Sequence, residues 1–149
     1  MDALPDALGG LAMLIVWVAV EILVEHFLAK LLLGQTSVEM WRGTIDMNAW
    51  SASDAFVNNA IAVSNCTVLI WLYASLRPMY GVGTKTALIT AAFGVFWGLS
   101  FFANLINVGL VPARVGLIEA AFEAIEFPIA MIVGAGVYEG AGKWDREAA

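Results

Sequence analysis

Four stretches of this sequence are long and apolar enough to cross a lipid bilayer, which leaves little choice of architecture. They run from about Leu8 to Leu33, Phe56 to Leu76, Thr86 to Val111 and Ala113 to Tyr138. A spanning helix needs ~20 mostly apolar residues. The longest stretches, of ~26 residues, would be ~39 Å long as helices, which implies tilt or protruding ends. The predicted fold is all-α: a single transmembrane domain over residues 1–149, built as a four-transmembrane-helix bundle with a short interfacial helix in the first loop.

Composition closes the other routes. Apolar residues make up 61% of the chain and charged residues 13%, with 13 Asp plus Glu against 7 Lys plus Arg. A water-facing surface of this size needs more charge. A soluble domain and a disordered segment are disfavoured, and the acidic balance also disfavours a nucleic-acid partner. The lone Cys66 excludes an intrachain disulfide and any multi-cysteine metal motif. The N-terminal flank carries Asp2 and Asp6 without Lys or Arg, unlike a secretory signal, so the first span is expected to be retained.

The connections are well punctuated. Arg77-Pro78-Met79-Tyr80-Gly81-Val82-Gly83 predicts a turn between the second and third spans, and Pro112 separates the third from the fourth. Residues 34–54 form the one long polar connection, with Glu39, Arg42, Asp46 and Asp54 set among Val38, Met40, Trp41, Ile45, Met47 and Trp50. That mixture reads as an interfacial helix or lid, with Trp41 and Trp50 at headgroup level. Ser51, Ser53 and Asp54 offer N-caps for the second span.

Basic residues set the orientation. The side holding both termini and the second loop carries Arg77, Lys85, Lys143 and Arg146. The other carries Arg42 and Arg114, plus Lys30 at a helix end. The bias favours cytoplasmic termini. Gly94 with Gly98, Ala130 with Gly134 and Gly136 with Gly140 are small-residue pairs at helical spacing, suited to close packing within the bundle or between subunits.

The chemistry lies in five acidic residues placed inside spans: Glu21 and Glu25 in the first, and Glu119, Glu123 and Glu126 in the fourth. At ~2.5 kcal/mol each, five such groups would cost on the order of 12 kcal/mol facing lipid, so they are expected to face the bundle interior. Glu119, Glu123 and Glu126 fall within about a 60° arc of one helix, and Glu21 and Glu25 are one turn apart. Counting inward from the outer ends puts Glu21 level with Glu126 near mid-membrane, Glu25 with Glu123 a turn outward, and Glu119 higher. Asn58 and Asn65 share a face of the second span, and Asn104 and Asn107 lie in the outer half of the third. The expected site is an acidic, amide-lined cavity beneath the lid, with Asn65 and Asn104 as neutral ligands.

Such a cavity admits three readings. Carboxylates crowded at low dielectric cannot all ionise, so they could share and relay protons. A cation could supply the missing charge: oxygen ligands suit divalent metals, and His26 would admit zinc or iron. Protonated carboxyls could instead fix the helices by hydrogen bonding to Asn side chains. The bundle di-iron pattern of Glu-x-x-His is absent, because Glu25 and His26 are adjacent and splay by ~100°. His26 and Lys30 form an i,i+4 pair that reads more simply as a bundle hydrogen bond and a snorkelling lysine. Pro128 is expected to kink the fourth span and free a carbonyl near Ala124. Gly81-Val82-Gly83-Thr84-Lys85-Thr86 lacks Walker spacing, so no nucleotide is implied. The lone His has no Asp at comparable depth, which disfavours an intramembrane enzyme.

The segment from Trp71 through Arg77-Pro78, Gly81-Val82-Gly83 and Thr86-Ala87, extending through Pro112-Ala113-Arg114, resembles small, uncharacterised bacterial four-helix membrane proteins. That resemblance implies a four-span topology in a bacterial inner membrane. It brings no activity and no site residue. Two functional expectations stand: a membrane protein whose carboxylate/Asn cavity binds or relays a proton or cation, or a non-catalytic accessory or assembly subunit of a larger membrane complex. A homo-oligomer fits either.

Overall fold

The structure, a computed structural model, describes residues 3–42, 44 and 51–148, with backbone alone for residues 3, 55 and 142–148. The described residues contain no strand. Helix α1 (Ala3–Glu21) continues through a π-helical turn (Ile22–Leu28) into α2 (Ala29–Leu33). A short α3 (Ser37–Arg42), α4 (Ala52–Tyr80), α5 (Thr84–Asn107) and α6 (Ala113–Ala148) follow. Among the described residues four helices are long and apolar enough to cross a membrane: Leu4–Leu33, Ala52–Tyr80, Thr84–Asn107 and Ala113–Ala141. A short helix does occupy the first loop, as α3. Ile45, Asp46, Met47 and Trp50 of the expected lid lie outside the described residues.

The helix ends follow from local chemistry, and several differ from expectation: α1 starts at Ala3 rather than Leu8, and α4 at Ala52 rather than Phe56. Ser51 opens α4 with a capping box: Asp54 N–H donates to Ser51 Oγ at 3.2 Å, and Ser51 N–H donates to Asp54 Oδ2 at 2.8 Å. Pro78 does not end α4, which runs on to Tyr80. Near a helix C-terminus proline removes a single bond, and the chain reverses instead at Gly81 and Gly83, with φ of 89° and 116°. Helix α5 stops at Asn107, short of Val111. Gly109 takes φ 74°, and the N–H groups of Gly109 and Leu110 fold back to Ile106 O at 3.1 Å and Leu105 O at 3.0 Å. Helix α6 continues beyond Tyr138 to Ala148.

Helix α6 packs against α1 and α5, and α4 packs against the same two from the other side. Helices α1 and α6 are antiparallel: Gly9 meets Gly134 and Tyr138, Met13 meets Gly134, and Trp17 meets Glu126 and Phe127. Contact there is backbone to backbone. A Cβ on Gly134 would lie 3.0 Å from Gly9 O and 2.8 Å from Met13 Cβ. Lipid supplies no hydrophobic drive between helices, so close approach at small residues supplies dispersion instead. A Cβ added at Gly136 or Gly140 would meet nothing within 4 Å among the described residues, so that small-residue pair is not a close-packing seat there.

Two apolar clusters divide the bundle. Met13, Cys66, Leu69, Ile70, Tyr73, Ala87, Ala91, Phe127, Ala130, Met131 and Ala135 fill the half nearer the chain termini. Val24, Ala29 and Phe122 form a smaller one near the first loop. Leu4, Leu8, Leu11, Ile15 and Val18 make an exposed stripe on α1 that continues to Ile22 in the π-helical turn, as lipid contact requires. Helix α4 is unusual: its buried residues begin at Cys66, and the segment from Ala52 to Ile61 is exposed wherever its side chains are described.

Candidate functional site

The five glutamates come together between the two apolar clusters. Glu119 and Glu126 are buried, at 5% and 3% exposure, and Glu21, Glu25 and Glu123 are half-buried. Glu25 lies beside Glu119. Glu21 and Glu119 are electrostatic neighbours of Glu123 and of Glu126 as well as of each other. Glu119 and Glu126 are inside the bundle, as argued from insertion cost, while Glu21, Glu25 and Glu123 keep part of their surface exposed.

Their register is one helical turn away from the depth count. Trp17, not Glu21, stands level with Glu126, and Glu25 pairs with Glu119 rather than Glu123. The seat of Gly9 against Gly134 sets how far α1 slides along α6, and the π-helical turn starting right after Glu21 resets the faces beyond it. The result is a file of carboxyls. It runs from Glu126 near the middle of the span, past Glu123 and Glu21, to Glu25 and Glu119 beneath α3. At ~1.5 Å per residue the α6 part of that file is ~10 Å long.

Among the described residues, Glu25 and Glu119 are hydrogen-bonded to each other, and a tryptophan and a serine donate to the file. Trp17 Nε1 donates to Glu126 Oε2 at 3.1 Å, while its ring stacks on Phe127 with centroids 5.4 Å apart. Ser37 Oγ donates to Glu119 Oε1. Glu123 Oε2 and Glu126 Oε1 are buried without a hydrogen-bond partner. Glu123 lies against α5 at Gly98, where an added Cβ would sit 3.7 Å from its side chain, and next to Cys66 of α4. Beyond Glu126 the interior is closed by Phe127, Met131, Met13 and Ile70. Within this half the buried Thr90 hydroxyl bonds back to Thr86 O of its own helix, and charged side chains resume at the far end. There Arg77 Nη1 donates to Glu139 Oε1 at 2.9 Å with its guanidinium 5.1 Å from the Tyr138 ring centre, and Gly83 N–H donates to Tyr73 OH at 3.1 Å.

The remaining expected ligands are not gathered here. Asn104 is exposed, as are Asn58 and Asn107. Asn65 is half-buried and lines a hollow of about 350 Å³ with Phe56, Val57, Ala60, Ile61 and Ser64, all from α4. The outer half of α4 stands clear of the bundle, so its amides do not complete an amide-lined cavity. His26 is exposed, although it sits in the π-helical turn. Among the described residues no three His, Cys, Asp or Glu converge closely enough to hold a metal ion. Carboxyls strung along a helix do not close around a point.

Trp17 and Ser37 escaped the sequence reading, although each left a signal. Trp17 precedes Glu21 by four residues and so shares its face. Ser37 follows Thr36, which opens a Thr-x-x-Glu capping box. Thr36 N–H donates to Glu39 Oε2 at 2.7 Å and Glu39 N–H donates to Thr36 Oγ1 at 3.3 Å. These bonds to Thr36 hold the exposed Glu39 carboxyl below its usual range. No protein-family model, curated protein or solved structure matches the chain.

Proposed function

We propose that this protein is a small integral membrane protein that binds or relays protons, or a cation, at the carboxyl file in one half of its bundle. The observation that carries this reading is Glu126: 3% exposed near mid-span, with one oxygen held by Trp17 and the other without a partner. An unpaired carboxylate there is costly, and a proton or cation removes the cost. A file favours the proton, which passes between carboxyls one turn apart without needing a closed coordination shell. The file ends at apolar side chains, so the reading is of a site reached from the first-loop side.

Reconstituted vesicles test it. Glu123→Gln and Glu126→Gln should each abolish proton or cation uptake from the first-loop side, or metal retention, while preserving the folded state, and the infrared carboxyl C=O band of the wild type should shrink in Glu126→Gln. Unchanged uptake and retention with an unchanged band would overturn the reading. By the basic-residue bias the termini belong in the cytoplasm and the file opens outward, and the resemblance to small bacterial four-helix membrane proteins implies a bacterial inner membrane. Protease access to a C-terminal tag in oriented vesicles checks that side.

A second reading is favoured by one observation, the exposure of α4 from Ala52 to Ile61, with Asn58 among the exposed residues. A polar side chain on a span needs cover. An accessory subunit of a larger complex, or one copy in a homo-oligomer, would supply it. Mild-detergent native mass spectrometry should then show a stoichiometric partner or a second copy. A protein that is always a monomer counts against it.

A further inference from the structure

Helix α3 is six residues long, too short to persist alone in water. Even so, Ser37 is 1% exposed and Met40 6%. The helix is capped internally by Thr36 and Glu39 and contacts α6 and the π-helical turn. It joins α2 through Gly34, which takes φ 74° and has no atom within 4 Å of where a side chain would start. So α3 is a short, self-capped piece on a glycine turn, seated by Ser37 and Met40. The Ser37 hydroxyl spends its hydrogen bond on Glu119, at the outer end of the file whose inner end holds the unpartnered Glu126 oxygen.

We propose that Ser37 is a positioning residue of the carboxyl site, and that α3 controls exchange between the file and the outer aqueous phase. With α3 seated, the Ser37 hydroxyl fixes the Glu119 carboxyl and shields that end of the file from water. With α3 lifted about Gly34, Glu119 and Glu25 open to the outside and load or release the proton or cation. This rests on the function proposed above, and it adds where the site opens and which side chain holds it shut.

Full-length protein in vesicles, treated with a water-soluble carbodiimide and an amine and mapped by mass spectrometry, provides the test. Ser37→Ala should raise labelling of Glu25 and Glu119 several-fold, and Ser37→Thr, which keeps the hydroxyl, should return it toward wild type. Glu139, held by Arg77 at the other end, is the internal reference. Equal labelling in wild type and Ser37→Ala overturns the proposal. Should Ser37→Ala fail to fold, Ser37→Cys on a Cys66→Ala background replaces it. Blocking the introduced thiol with a small reagent should then open Glu119 and Glu25 to labelling, and no change overturns the proposal. Labelling that responds to Ser37 in a protein that takes up neither protons nor cations keeps this role for α3 and removes the proton or cation reading. Uptake lost in Glu126→Gln while labelling ignores Ser37 does the reverse.

Discussion

Trp17 Nε1 donates a 3.1 Å hydrogen bond to Glu126 Oε2, joining α1 to α6 near the middle of both spans. The same indole stacks on Phe127, with planes 19° apart. One side chain thus closes the apolar half of the bundle with its ring and holds the deepest carboxyl with its N–H. Removing the donor while keeping a ring separates the two roles. Trp17→Phe should cost about 1–3 kcal/mol, because a buried acceptor loses its partner. Adding Glu126→Leu to Trp17→Phe should recover most of that loss. A double-mutant cycle on unfolding in detergent measures it; a Trp17→Phe variant as stable as wild type would show that the bond contributes nothing.

Gly134 and Gly136 make a matched pair on one helix. A methyl at Gly134 meets Met13 Cβ at 2.8 Å and Gly9 O at 3.0 Å, whereas Gly136 has nothing within 4 Å. Gly134→Ala should therefore push α1 off α6 and cost about 1–3 kcal/mol, as overpacking does. Gly136→Ala should not destabilise the isolated chain. Thermal unfolding of the two variants side by side decides it.

Arg77 makes two contacts of different kinds, 2.9 Å to Glu139 and 5.1 Å to the Tyr138 ring centre. A lysine supplies the charge without the planar stacking group. Arg77→Lys should cost about 1 kcal/mol, and Glu139→Gln should remove only the ion-pair share. A coupling energy near zero between these two changes would mean that the pair is held by solvent-screened charge alone.

The Thr36–Glu39 capping box gives α3 a pH dependence of known sign. The folded Glu39 carboxyl titrates below its ordinary value of 4.5, because Thr36 donates to its charged form. Its contribution is complete above that value and is lost as pH falls through the lower folded one. Fluorine NMR of a 5-fluorotryptophan at position 41 should show α3 loosening only below about pH 4.5. In Glu39→Gln the signal should not follow pH in that range; the same acid transition in that variant would assign it to another group.

Much of the architecture was readable residue by residue. The four spans, the Ser51 cap and the burial of Glu119 and Glu126 each follow from a local preference: an apolar residue gains in lipid, a carboxyl loses, and an orphan helix N–H needs an acceptor. Helix ends were less legible where they depend on glycine conformation, as at Gly81 and Gly109. The site was half legible. Its acids were found, but Asn104 and Asn65 were assigned to a cavity that the outer half of α4 does not help enclose, and Trp17 and Ser37 were missed.

The sequence by itself determined that this chain is a set of membrane-length helices carrying acids that must face inward, because hydropathy and charge are summed along the chain. Only the tertiary structure decided which acids stand together and what holds them. The seat of Gly9 on Gly134, the π-helical turn after Glu21 and the docking of Ser37 on Glu119 join residues far apart in sequence. A sliding register between two helices changes every neighbour at once while leaving each residue's own preference satisfied.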